Sequence, residues 1–233
     1  MLKIIHARGI SDRGIEEEKT VFIDQGKFAA PNEETTECEI IDAHGAYLCP
    51  GFIDIHTHGM MGYDFMDCTE EAIDNIARAH LMQGATTIIP TSLAGSHEAT
   101  LKFLQVYSET EKCQEGRADM PCVHLEGPYF AASQKGAQPE KYLRTPDPEE
   151  YGEILKKYGS LIGRWSAASE LEGMEAFARE CRRYQIVVAY AHSDADAQQA
   201  MEANRWGFSH YTHLYSCMSS VHRRQGRRYG GLV

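Results

Sequence analysis

The stretch PGFIDIHTHG, Pro50 to Gly59, sets two histidines, His56 and His58, two residues apart at the end of an apolar run. Successive side chains of a β-strand point to opposite faces, so the two imidazoles share one face and Thr57 turns away. Paired imidazoles suit a metal ion, whereas a lone buried histidine is more often a hydrogen-bonded core residue. The remainder of the chain decides between the two.

From Pro50 onward, short apolar runs alternate with helix-like segments. GFIDIHTH, ATTIIPTS, MPCVHLEGPYF, LIGRWSAAS, IVVAYAHSD and FSHYTHLYS read as strands. TEEAIDNIARAHLMQG, SHEATLKFLQVYSETEKC, DPEEYGEILKKYG, LEGMEAFARECRRYQ and DAQQAMEANRWG fall between them. This alternation predicts a parallel sheet covered by helices. The first helix shows the pattern: Ala72, Ile73, Ile76, Ala79 and His80 recur at three and four, Thr69 before Glu70 and Glu71 suits an N-cap, and Gly84 supplies a stop. A (β/α)8 barrel has eight strands over typically about 250 residues. The expected fold is therefore α/β, a (β/α)8 TIM-barrel type truncated at its C-terminus to about six strands, over residues 49–233. Residues 1–48, with KIIHARGI, KTVFIDQGKFA and CEIIDAHGAYLCP separated by the polar APNEETTE, predict a small β layer. The proline-bearing segment Phe130–Glu150 follows a strand end, where barrels carry functional loops.

The composition narrows the partners. Among 233 residues, 34 acidic side chains oppose 23 basic ones, a formal charge of -11 that repels nucleic acid and anionic membranes and leaves a small polar or sugar-like ligand. The opening MLKIIHARGI has no signal-type apolar core, and no run approaches the roughly 20 apolar residues of a membrane span. A cytoplasmic location is expected. The seven cysteines, Cys38, Cys49, Cys68, Cys113, Cys122, Cys181 and Cys217, form no CxxC pair and read as reduced thiols, none assigned to zinc.

Polar residues gather at the C-terminal ends of the expected strands: His56 and His58, then His124 and Glu126, then His192, then His210 and His213. In a barrel these ends converge on one mouth, and their coincidence there is the signal. Imidazole nitrogens with a carboxylate suit Zn²⁺ first, with iron or manganese as alternatives, one or two ions in all. Glu126, His192 and His213 form the expected core ligand set, which His56 and His58 extend. A water on such an ion becomes a nucleophile near neutral pH, which points to hydrolysis. His124 is read as a core residue with a supporting role as the alternative, and His210 is left open. His6, His44, His80, His97 and His222 are read as structural or surface residues.

These residues carry a family resemblance. IDAHGAYLCPGFIDIHTHG resembles the opening signature of the amidohydrolase superfamily, and HLEGPYF, KGAQ, AHSDA and THLYSCMS together look like the N-acetylglucosamine-6-phosphate deacetylases. The resemblance covers nearly the whole chain. It implies a metal-dependent TIM barrel with a small β-sandwich domain, removal of acetyl from an amino-sugar phosphate, and a homodimer in the full-length form. It also implies sugar contacts at Ala137 and Gln138, substrate contacts at Ser216 and Cys217, and a phosphate-binding role for Arg224 within the cluster Arg223, Arg224, Arg227 and Arg228. A guanidinium fork suits a phosphate monoester. Two departures stand out: Ser216-Cys217 replaces the family's Asn-Ala, which opens altered substrate recognition, and the family's catalytic aspartate lies on a strand beyond residue 233. No catalytic residue is therefore assigned. The chain is expected to show reduced or no activity as a fragment.

Two rivals remain. A dihydroorotase-like or hydantoinase-like enzyme also opens with HxH but uses a carboxylated lysine after strand four, where LIGRWSAAS has none. The other is an inactive metal- or sugar-phosphate-binding fragment.

Overall fold

The computed structural model describes residues 1–30, 38–224 and 226–232; for His222, Arg224, Arg227, Arg228 and Tyr229 it describes the backbone alone. The chain divides into two compact units, Met1–Gly51 and Phe52–Val233.

The first unit is one mixed sheet of β1 (Leu2–Ser11), β2 (Gly14–Asp24), β3 (Lys27–Ala29), β4 (Glu39–Asp42) and β5 (Tyr47–Leu48). The order is β3-β2-β1-β4, with β5 also on β1. The hairpins antiparallel to β1 and β2 are closed by tight turns; Gln25 (φ 48°) and Gly26 (φ 73°) both take the left-handed region that a two-residue turn between twisted strands requires. Among the described residues this unit holds one sheet, whereas the resemblance implies a sandwich. Phe28, Ile40, Ile41 and Tyr47 are exposed on this sheet, Ile40 and Ile41 on opposite faces of β4. The segment APNEETTE lies almost wholly outside the described residues.

The second unit carries β6 (Phe52–Thr57), a short ribbon of β7 (Gly59–Met60) with β8 (Tyr63–Asp64), α1 (Glu70–Met82), β9 (Ala85–Pro90), α2 (His97–Glu109), β10 (Val123–Glu126), α3 (Pro148–Tyr158), β11 (Ile162–Ala167), α4 (Met174–Arg183), β12 (Val187–Tyr190), α5 (Ala197–Trp206) and β13 (Phe208–Tyr211). A final hairpin joins β14 (His222–Arg224) to β15 (Arg227–Tyr229). β6 pairs parallel with β9, and β10, β11, β12 and β13 pair parallel in order. Parallel bridges Thr87↔Asp119 and Thr91↔His124 join β9 to β10. Six parallel strands thus run in succession with a helix after each of the first five, the βα order of a TIM barrel.

Alternation along the strands sorts the residues into two layers. On β11, Trp165 turns outward to the helices, where its ring packs against Tyr129 and Phe177, and its indole N–H donates to the Gly127 carbonyl at 2.8 Å. Arg164 and Ser166 turn inward. The first helix buries the face its spacing predicts, with one shift: α1 packs on Ala72, Ile73, Ile76 and Ala77, and Ala79 lies at the margin. Thr69 caps α1 by accepting from the Ala72 N–H at 3.1 Å.

Candidate metal centre

The C-terminal ends of β6, β10, β12 and β13 bring five side chains together. Glu126, the last residue of β10, is 1% exposed. Its Oε1 stands 3.0 Å from His213 Nε2, 3.4 Å from His192 Nε2 and 3.5 Å from His56 Nε2, and its Oε2 stands 3.1 Å from His58 Nε2. His56 and His58 face each other through their Nε2 atoms at 3.3 Å, while Thr57 turns to His80. The expected set therefore meets at one point. Two overlapping groups able to hold an ion result, His56–His58–Glu126 and Glu126–His192–His213, with ligand atoms all within 4.8 Å of one another.

The other ring nitrogens decide what the cluster wants. His58 Nδ1 donates to the Thr91 carbonyl at 3.2 Å, His192 Nδ1 to the Gln134 carbonyl at 2.8 Å and His213 Nδ1 to the Ser216 carbonyl at 3.0 Å. A carbonyl only accepts, so Nδ1 carries a proton, and in the singly protonated form each ring presents an Nε2 lone pair. Those lone pairs face carboxylate lone pairs, an arrangement that is repulsive unless a proton or a cation lies between. The donor set of imidazole nitrogens and one carboxylate fits a divalent metal ion. Burial pushes the Glu126 carboxyl up, but the four surrounding imidazoles hold it well below the usual carboxylate range. The Glu126 hydrogen bond and charge raise His213; at His58 burial opposes them and is outweighed.

The backbone supports this placement under strain. His192 (φ 47°) and His213 (φ 38°) both adopt the left-handed region, as do Tyr215 (φ 77°) and Cys217 (φ 54°) beside them. Non-glycine residues rarely do so, and such outliers cluster at functional sites. Gly136 (φ 53°) lets the loop after β10 approach, since a Cβ there would lie 2.5 Å from Cys217 Sγ and 3.5 Å from His192 Cε1.

Beneath the cluster lies a polar layer that strand patterning alone does not reveal. Arg164 Nη2 donates to His124 Nδ1 at 2.8 Å and to the Ile55 carbonyl at 2.6 Å, and Nη1 donates to His210 Nε2 at 3.1 Å. With Nδ1 accepting, His124 Nε2 donates to Ser166 Oγ at 2.6 Å, which meets Thr212 Oγ1 at 2.7 Å. Burial first and Arg164 second push His124 well below its ordinary value, keeping it neutral. His124 is thus a core residue under the centre, and His210 is the partner of a buried arginine. An arginine inside the otherwise apolar run LIGRWSAAS is the signal in the sequence for this layer.

The substrate-side expectations divide. Ala137 and Ser216 are exposed at the rim, Cys217 is half-buried against Gly136, and Arg224 lies on β14 with its side chain outside the described residues. Gln138 departs from a sugar contact: it is 4% exposed, its Nε2 donates to Glu126 Oε2 at 2.9 Å, and its Oε1 accepts from the Ala94 N–H at 2.8 Å. Both ends of its amide are engaged inside the protein.

Residues 47–227 match the amidohydrolase family. The chain belongs to the amidohydrolase family. Among curated proteins, this amidohydrolase is similar to the N-acetylglucosamine-6-phosphate deacetylase of Bacillus subtilis (strain 168), 30% identical over 212 residues, 88% of this chain and 54% of that protein. The protein of the same name from Bos taurus is 32% identical over 188 residues, 78% of this chain and 46% of its own. Among solved structures, N-acetylglucosamine-6-phosphate deacetylase from Pasteurella multocida superposes with a TM-score of 0.86 at 25% identity, over 100% of this chain and 60% of that one. The Mycobacterium smegmatis structure, at TM-score 0.83 and 22% identity over 100% of this chain and 64% of that one, agrees in fold. This amidohydrolase spans about half the length of the curated relatives it matches.

Proposed function

We propose that this amidohydrolase takes part in metal-dependent removal of the acetyl group from N-acetylglucosamine 6-phosphate, giving glucosamine 6-phosphate and acetate. The observation that carries the reading is the convergence of four imidazole Nε2 atoms on the buried Glu126 carboxylate, three of them with Nδ1–H fixed on backbone carbonyls. Zn²⁺ is the favoured ion over iron or manganese, held by Glu126, His192 and His213, with His56 and His58 available to a second. Such an ion supplies a water acidified toward neutrality and an electrophile for the amide carbonyl.

The chain's own residues do the rest. Glu126 contributes the negative charge, and the backbone carbonyls of Thr91, Gln134 and Ser216 fix the ring proton on Nδ1 and aim the Nε2 atoms. Ala137, Ser216 and Cys217 form the rim where the sugar would sit, Ser216-Cys217 tuning its recognition, and Arg224 is the phosphate partner. On β11 the inward residues are Arg164 and Ser166, not lysine, which favours Glu126 as the carboxylate over a lysine-derived one. The relatives' shared name supports the substrate.

A cytoplasmic location and, for the full-length form, a homodimer complete the reading. Metal analysis of the purified chain tests the centre, with at least one divalent ion per chain expected and loss of it in His192→Ala. Acetate release from N-acetylglucosamine 6-phosphate tests the substrate. A chain without metal whose behaviour His192→Ala leaves unchanged would sink the centre, and a metal-loaded chain that neither binds N-acetylglucosamine 6-phosphate nor releases acetate from it would sink the substrate.

A further inference from the structure

One loop holds two of the candidate ligands. After β10, the Ala131 N–H donates to the His192 carbonyl at 2.9 Å, and the Gln134 carbonyl receives His192 Nδ1 at 2.8 Å. Four residues on, Gln138 reaches into the interior and touches Glu126. The orientation of its amide is not free: Ala94 N–H can only donate, so the amide oxygen faces Ala94 and the NH₂ faces Glu126 Oε2. Glu126 is the one carboxylate that belongs to both ligand groups, and its two oxygens meet different histidines.

We propose that Gln138 is a positioning residue for metal binding. Its amide fixes the rotation of the Glu126 carboxylate, so that Oε1 is presented to an ion shared with His192 and His213 while Oε2 is retained on the side of Gln138 and His58. A carboxylate ligand held by an outer hydrogen bond loses less freedom on binding and keeps one geometry, and removal of such a partner typically costs roughly 10–100-fold in metal affinity. The hydrogen bond to Oε2 also uses one of the lone pairs that a second ion at His56 and His58 would need, so that second ion binds more weakly than the first.

The inference rests on the metal-centre reading, and the two fail in different ways. Zn²⁺ titration of the metal-stripped protein against a competing chelator is the measurement. Gln138→Met keeps the length and volume of the side chain without a donor, and its affinity for the first Zn²⁺ is expected to fall 10–100-fold. Gln138→Asn retains an amide on a stem too short to span Ala94 and Glu126, and a fall in the same direction is expected while the amide still accompanies the polar Ala94 N–H. The melting temperature of the metal-free variants separates a fold defect from a binding defect. First-ion affinities within twofold of the parent chain in both variants would overturn the role of Gln138. So would unchanged Zn²⁺ affinity with weakened binding of N-acetylglucosamine 6-phosphate by calorimetry, since that is the signature of a substrate contact. A parent chain that takes up no Zn²⁺ would instead overturn the centre itself.

Discussion

Glu126 is the residue on which everything at the mouth depends, because one carboxylate serves four imidazoles and one amide. Glu126→Gln keeps the shape but replaces a negative acceptor with a group that cannot balance a dication. Near-complete loss of bound Zn²⁺ is expected, by elemental analysis after dialysis, with the secondary structure retained by circular dichroism. His213→Ala should lower affinity while leaving His56 and His58 in place, so residual weak binding is expected there. The five candidate ligands were legible in the sequence as HxH, HLEGP, AHSD and THLY, each at a strand end. The task of Gln138 was not: KGAQ says that a glutamine follows a close-approach glycine, but only the fold places its amide between Ala94 and Glu126. Arg164 was legible as an oddity, a charge in an apolar strand, yet its partners come from 40 and 46 residues away.

At the level of elements, β11 links the outer core to the centre. Trp165→Ala would leave the stack with Tyr129 and Phe177 open and the Gly127 carbonyl without its donor, and a loss of about 3–5 kcal/mol is expected in denaturant unfolding. The turn that follows Glu126 shares that bond, so metal affinity should fall with stability. On α1, Asp74 accepts from Arg78 and from the buried Arg117. The Arg78 hydrogen bond foremost, then its charge and Arg117, hold the Asp74 carboxyl below its ordinary value despite some burial. A carboxyl lowered on folding adds stability above its unfolded pKa of about 3.9 and loses it as pH falls through the lower folded value. Thermal melts below about pH 4 should therefore show a smaller acid-driven decline in Asp74→Asn than in the parent chain. Element identity was legible because period 2 and period 3.6 alternate cleanly from Pro50 onward; the buried face of α1 shifted from Ala79 to Ala77 because small residues fit either side of the stripe.

Across the whole molecule, ligand binding and stability are one quantity. An ion that binds only the folded chain adds RT ln(1 + [L]/Kd), about 2.7 kcal/mol at a hundredfold excess over Kd, and a rise of several degrees in melting temperature is expected on adding Zn²⁺ to the stripped protein. Calorimetry with and without the ion checks it, and no shift would contradict a preformed site. The six-strand count was legible from the βα rhythm, but a second sheet facing the N-terminal layer, expected from resemblance, has no apolar partner segment among the described residues to build it.

Among the described residues β6 pairs with β9. Phe52 and Ile53 are 67% and 66% exposed there, and among the described residues the Ile55 carbonyl is taken by Arg164. Large apolar side chains exposed side by side on one strand favour association, so these two positions are an aggregation hazard of the 233-residue chain. Purification yield should fall with concentration, and replacing Ile53 with lysine should widen the working range without touching the histidines.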